Sequence, residues 1–281
     1  MKLLSFVANG KPTFGALSGD GIVELGRKTG YRTLREAIAA GALDGLKKVV
    51  QGAKADYKLA DVVLQIPIPD AEKIICIGVN YKAHVIEVGR AMPEQPSVFF
   101  RLHSSLVASG APIVRPTISQ DFDYEGELAV IIGTAGHKIA RGDALKHVVG
   151  YTILNDGSIR DIQMKGSLAM GKNFVATGSV GPFMLTADEV PDPAKLTIET
   201  RLNGERKQYS GVNDLIFDIP AIIEYVSAAI PLTPGDIIAT GTPDGVQHGK
   251  NPPRWMKPGD VLEIEVPNIG VLRNEIIDAA P

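Results

Sequence analysis

The run Asp121-Phe122-Asp123-Tyr124-Glu125-Gly126-Glu127-Leu128-Ala129-Val130-Ile131-Ile132-Gly133 passes from an acidic cluster straight into an apolar, β-branched segment. The second half reads as a β-strand, the state such side chains favour. In an extended chain Glu125 and Glu127 point their carboxylates to the same side, because side chains alternate. Gly126 between them adds no bulk. Two like charges held that close repel, and each prefers a proton unless something cationic sits between them. A divalent metal is the economical counter-ion. Every nearby candidate ligand is an oxygen, which favours Mg²⁺, Mn²⁺ or Ca²⁺ over Zn²⁺. A Glu-x-Glu on a solvated strand edge would look the same in isolation, so the reading depends on what the rest of the chain brings to it.

The chain of 281 residues can bury a substantial core as one large domain or as a small one plus a larger one. A hydrophobic content of 44% with 22% charged residues and 30 glycines describes a soluble globular chain with many turns. With a net charge of −3 and no basic block, nothing in the balance attracts nucleic acid or an anionic membrane. Cys76, the single cysteine, lies in Ile74-Ile75-Cys76-Ile77. It excludes an internal disulfide and a thiolate zinc site, and reads as a small core hydrophobe. The apolar opening Met1 to Ala8 breaks at Asn9-Gly10-Lys11-Pro12, too early for a signal peptide or membrane span, so a cytoplasmic location is expected.

Residues 3 to 25 read as short strands joined by Asn9-Gly10 and Gly19-Asp20-Gly21, whose positive φ suits hairpin turns. Thr33 is placed to cap a helix Leu34 to Ala40, and Leu43 to Val50 reads as a second. In Gln65-Ile66-Pro67-Ile68-Pro69 the prolines cannot donate to a ladder, so an extended connector is expected. The domain boundary is set there, giving a small N-terminal α+β domain over residues 1–69 and a larger one over 70–281. Beyond it, strand Lys73 to Val79 leads to a short helix in which His84 and Glu87, three apart, share a face, where the carboxylate can orient or charge the imidazole. Gly89 and Pro93 end that helix, and Arg90 to Pro96 reads as a mobile, lid-like loop.

After Ala140 to Lys146, expected to be helical, strand Val148 to Leu154 delivers Asn155-Asp156 at its carboxyl end, a place where ligands often lie. Asp156 is the expected third metal ligand. Ser158 is the expected cap of Ile159 to Lys165, which carries Arg160 and Gln163 on one face. The planar fork of Arg160 suits a carboxylate, either a substrate's or a neighbouring acid's. Gly171-Lys172-Asn173-Phe174 places an ammonium that either approaches the metal or stays at the surface. The rest is mostly strand, with a hairpin through Asn203-Gly204 and a helix Ile219 to Ile230 capped by Asp218. Thr240-Gly241-Thr242-Pro243-Asp244-Gly245 either offers backbone N–H groups and a hydroxyl to an anion or is a plain turn.

Taken in order, Gly78-Val79-Asn80-Tyr81-Lys82-Ala83-His84, Asp123-Tyr124-Glu125-Gly126-Glu127-Leu128, Asn155-Asp156, Arg160-Asp161, Gly171-Lys172 and Gly241-Thr242-Pro243 make residues 70 to 279 resemble the fumarylacetoacetate hydrolase superfamily. The resemblance implies an α+β fold with a mixed β-roll catalytic domain, a bound Mg²⁺ or Mn²⁺, and a homodimer. It implies Glu125, Glu127 and Asp156 on the metal, Lys172 at the substrate, and His84 with Glu87 as a dyad on the lid. Tyr81, Arg160, Gln163 and Thr242 match positions at the substrate. Arg101 stands where many relatives carry lysine and Asp244 where a small residue is common, and the resemblance assigns a role to neither.

The substrate so implied is a small 2-oxo acid, and the expected reaction is hydrolysis of a carbon–carbon bond in acylpyruvates such as fumarylpyruvate, in aromatic catabolism. His84, oriented by Glu87, would activate the water. Decarboxylation of oxaloacetate or another 2-oxo diacid, isomerisation of 2-hydroxyhepta-2,4-diene-1,7-dioate and ureidoglycolate cleavage are alternatives, and tautomerisation would use the same proton shuttle. A non-catalytic relative that binds a metabolite or partner would have lost a ligand or base, whereas His84, Glu87, Glu125, Glu127, Asp156 and Lys172 are all present here.

Overall fold

The computed structural model describes residues 1–280. At its centre Gly126–Ile132 lies in a twelve-stranded sheet, antiparallel to Val148–Asn155 on one side and to Ile237–Ala239 on the other. Leu128, Val130 and Ile132 face one core while Ala129 and Ile131 face a second. Burial on both faces is why this strand is apolar without alternation. The sheet continues from Ile237–Ala239 to a parallel Ile74–Gly78 and then Ser97–Phe100, and from Val148–Asn155 to Gly178–Thr186.

A five-stranded sheet covers the first core, in the order Glu205–Gly211, Thr197–Leu202, Val261–Val266, Gly270–Asp278, Ile113–Arg115. Its strands alternate as half-buried strands must, sending Ile198, Leu202, Leu262 and Ile264 inward. The helix Ile219–Ala229 adds Ile222, Ile223 and Val226 to that core. Asp218 caps it as expected, its Oδ1 accepting the Ala221 N–H at 2.8 Å.

The boundary expected at residue 70 marks a connector but breaks neither sheet nor core. Lys2–Ala8 pairs with Gly178–Thr186 through Leu3 and Met184, and Leu3, Phe14, Leu34 and Ile38 share one core with Ile74, Ala129 and Ile131. The connector itself is pinned where Ser5 Oγ donates to Pro67 O at 2.7 Å.

The segment expected to be helical from Ala140 to Lys146 is a 3₁₀ helix, Arg141–His147. One local expectation is corrected. Ser158 does not cap a helix, because it pairs in an extended conformation with Asp123 and its hydroxyl donates to Asp156 O at 2.9 Å; the helix is Arg160–Met164. Among the described residues no helix is long and apolar enough to cross a membrane.

Candidate active site and metal centre

The pairing of Gly126 with Asn155 is the step that builds the site, since it sets Glu125 and Glu127 beside Asp156 at one end of the central sheet. Ligand oxygens of the three buried carboxylates lie within 4.8 Å of one another. Gly126 permits this arrangement. Its N–H donates to Gln208 Oε1 at 3.0 Å, and a Cβ there would overlap Thr200 Oγ1 of the covering sheet.

Three buried cations answer most of the negative charge. Lys172 Nζ lies 2.7 Å from Glu125 Oε2 and 2.6 Å from Asp156 Oδ2. Arg101 Nη1 donates to Asp156 Oδ1 at 2.7 Å, and its other donors reach Gly157, Ser105 and Thr177. Arg160 Nη2 sits 2.8 Å from Asp123 and 2.7 Å from Glu125. Four buried carboxylates, counting Asp123, therefore face three cations. Glu127 is the one left over. It is 1% exposed, has no ion pair among the described residues, and accepts one hydrogen bond, from Gly241 N–H to Oε2 at 2.8 Å.

The electrostatics follow this imbalance. Burial pushes the Glu127 carboxyl well above the usual range, and Asp156 and Glu125 push it further. Burial acts the same way on Glu125, but Lys172 and Arg160 outweigh it and hold that carboxyl well below. A divalent cation on Glu125, Glu127 and Asp156 would neutralise the surplus, and an all-oxygen donor set fits a hard ion of that charge.

Across the cavity the helix Lys82–Glu87 carries the dyad, with His84 Nδ1 3.4 Å from Glu87 Oε2. Both Glu87 oxygens accept from Gly245 N–H at 3.0 Å, and Oε1 also meets Lys250 Nζ at 2.9 Å. Gly245 can serve because its φ is +105° and any Cβ would overlap Lys207 O. Burial alone would raise the Glu87 carboxyl, but His84, Lys250 and the Gly245 N–H hold it below its ordinary value of 4.5. Its native form then binds fewer protons than its unfolded form, so its stabilisation is complete above pH 4.5 and fades as pH falls through the depressed value. Glu87→Gln should accordingly cost about 1 kcal/mol at neutral pH. Thermal melts at falling pH should show that gap closing; a constant gap would count against an ionised Glu87.

The cavity between dyad and triad has a volume of about 340 Å³. Glu87 and Asp156 stand behind its lining, whereas His84, Glu125, Glu127, Lys172, Arg160, Gln163 and Thr242 line it. Val79 does too, at φ 56°, a left-handed conformation that a β-branched residue adopts only under constraint. Asn80 beside it supplies the constraint, bonding Phe217 and Thr240 through its amide. The Thr242 hydroxyl is engaged, donating to Gly126 O at 3.0 Å and accepting from Gln208 Nε2 at 2.8 Å.

Tyr81, expected at the substrate, does not line the cavity: it is 1% exposed and packs in the apolar core. Its hydroxyl is buried with no hydrogen-bond partner among the described residues, and burial together with the Glu127 charge pushes its pKa up. Asp244 lies outside the cavity lining as well, so it adds no charge to the wall.

Two residues without an expected role, Arg101 and Asp123, belong to the site. Arg101 holds and partly neutralises Asp156; its signal was a charge ending the apolar run Ser97–Phe100. Asp123, inside the acidic cluster, accepts from Arg160 Nε at 2.9 Å and from the Gln247 and His248 N–H groups at 3.0 Å.

Residues 73–277 match the family model described as fumarylacetoacetate (FAA) hydrolase, C-terminal. An oxaloacetate tautomerase of Bacillus subtilis (strain 168) is 43% identical over 226 residues, which is 78% of this chain and 75% of that one. A mitochondrial oxaloacetate tautomerase of Bos taurus is 34% identical over 288 residues, 99% of this chain and 92% of that one. Among solved structures, the maleylpyruvate hydrolase of Sphingobium sp. SYK-6 in complex with manganese(II) and pyruvate superposes with a TM-score of 0.85 at 30% identity, covering 100% of both chains.

Proposed function

We propose, from the premise that this chain belongs to the fumarylacetoacetate hydrolase family, that it is a tautomerase interconverting the keto and enol forms of a short 2-oxo diacid of the oxaloacetate class. The observation that carries the reading is a single proton-shuttling dyad, His84–Glu87, facing a charge-stabilising cluster across one small cavity. The relatives named oxaloacetate tautomerases favour proton transfer over the acylpyruvate hydrolysis expected from sequence.

A divalent ion on Glu125, Glu127 and Asp156 would supply Lewis-acid stabilisation of negative charge on the 2-oxo oxygen. Lys172, clamped between Glu125 and Asp156, adds a fixed positive charge at the same end. Glu87, ionised and acting only as acceptor, keeps the His84 proton on Nδ1 and leaves Nε2 as the base. In the keto-to-enol direction the C3–H bond breaks, Nε2 takes the proton, and the electron pair moves through C2 to the carbonyl oxygen. Protonation of that oxygen completes the enol, and the reverse direction returns a proton to C3.

Following the ultraviolet band of the enol after mixing with Mg²⁺- or Mn²⁺-loaded protein tests this reading. It should decay faster than in buffer, with no change in mass by mass spectrometry. Decay at the buffer rate, or pyruvate and CO₂ appearing at the rate of enol loss, would overturn it. Hydrolysis of acylpyruvates is the second reading, favoured by the whole-chain similarity to maleylpyruvate hydrolase. It predicts pyruvate plus a second carboxylic acid from fumarylpyruvate.

We also infer a homodimer. Phe100, Leu102 and Met170 are exposed, and Asn173 bridges their segments, bonding Leu102 N–H at 2.7 Å and Phe100 O at 3.1 Å. A second copy would cover this apolar patch. Leu102→Glu should then give a monomer by light scattering, and an unchanged mass would exclude this face.

A further inference from the structure

We propose that Arg90 and His248 form the subsite that grips the second carboxylate of the substrate and so select 2-oxo diacids over 2-oxo monoacids; this rests on the tautomerase reading above. The other cations of the cavity are already committed. Lys172 is held by Glu125 and Asp156. Arg160 faces Asp123 and Glu125, and its Nη1 donates to Gln163 Oε1 at 3.0 Å. Turning either toward a second substrate carboxylate would break buried ion pairs, which is costly.

Arg90 and His248 line the same cavity, and among the described residues neither side chain has a hydrogen-bond or ion-pair partner. Both are nonetheless held by their backbones. The His248 N–H donates to Asp123 Oδ2 at 3.0 Å, which fixes the half-buried imidazole beside Arg160. The Arg90 N–H donates to Val85 O at 3.1 Å, placing Arg90 directly after the helix that carries His84, its guanidinium exposed at the cavity. Burial and Arg160 keep the imidazole below its ordinary value of 6.5, so it meets the ligand as a neutral N–H donor while Arg90 supplies the charge. A guanidinium fork with a neighbouring N–H donor is chemistry suited to a carboxylate.

The experiment is calorimetric titration of the full-length Mn²⁺-loaded protein with oxaloacetate and with pyruvate, which shares the 2-oxo acid head but lacks the second carboxylate. Wild type should bind oxaloacetate more tightly. Arg90→Met and His248→Ala should each weaken oxaloacetate binding roughly tenfold or more, with pyruvate binding changed less than about twofold. Arg90→Lys should restore part of the loss, and unaltered melting temperatures would show that the variants are folded. Equal weakening of both ligands, or unchanged oxaloacetate affinity, would overturn the subsite alone. If the wild type binds neither 2-oxo acid, the tautomerase reading fails and the subsite with it.

Discussion

If the chain is the proposed tautomerase, His84→Ala should lower kcat for keto–enol interconversion by roughly 10²- to 10⁴-fold, the contribution of a positioned general base, and leave divalent-metal affinity near the wild-type value. The two outcomes separate because the imidazole and the carboxylate triad stand on different elements. His84 is on the helix Lys82–Glu87, whereas the triad oxygens are held by Lys172, Arg101, Arg160 and the Gly241 N–H. The helix should survive the truncation. Val85 is fully buried, and Glu87 keeps its bonds to Gly245 and Lys250. KM should change little, since the dyad acts on the proton in flight and not on the carboxylates. A folded His84→Ala protein with wild-type kcat would remove this residue from the mechanism. A loss recovered by added Mn²⁺ would instead assign it to metal retention.

The second large effect has opposite signs with and without metal. Glu127→Gln should weaken Mg²⁺ or Mn²⁺ binding at least roughly tenfold, because a hard cation loses an anionic oxygen. The same change should stabilise the metal-free protein by about 1–3 kcal/mol, since it replaces a carboxyl whose ionisation burial and its neighbours oppose with a neutral side chain. The amide oxygen can still accept the Gly241 N–H that Glu127 accepts now at 2.8 Å. Melts in chelator and in excess metal read both halves at once. In chelator the variant should melt above wild type, and in metal the order should reverse. A variant that melts lower in chelator would mean that Glu127 is paired in the free protein, and wild-type metal affinity would take it out of the coordination set.

Much of the site was legible because its residues sit at element ends that sequence marks well. Glu125 and Glu127 flank a glycine at the mouth of an apolar strand, Asp156 follows another strand, and His84 and Glu87 share one turn of helix. Those are short-range relations. Tyr81 was harder to place for the converse reason. Its motif neighbours line the cavity, but its own burial in the apolar core depends on segments far away in the chain, such as the one bridged at Leu215.

Sequence alone determined which groups are available: Glu125, Glu127 and Asp156 at strand ends, Lys172 and Arg160 as basic side chains, a dyad on a helix, and a family order of motifs. It could do so because strand alternation, helix spacing and chain order are local properties. Only the tertiary structure decided how those charges pair. It gave Lys172 and Arg160 to fixed carboxylates, left Glu127 without a cation, and left Arg90 and His248 free to meet a ligand. Pairing of buried charges is settled by distance and desolvation across strands remote in sequence, and neither quantity is written in the spacing of residues along the chain.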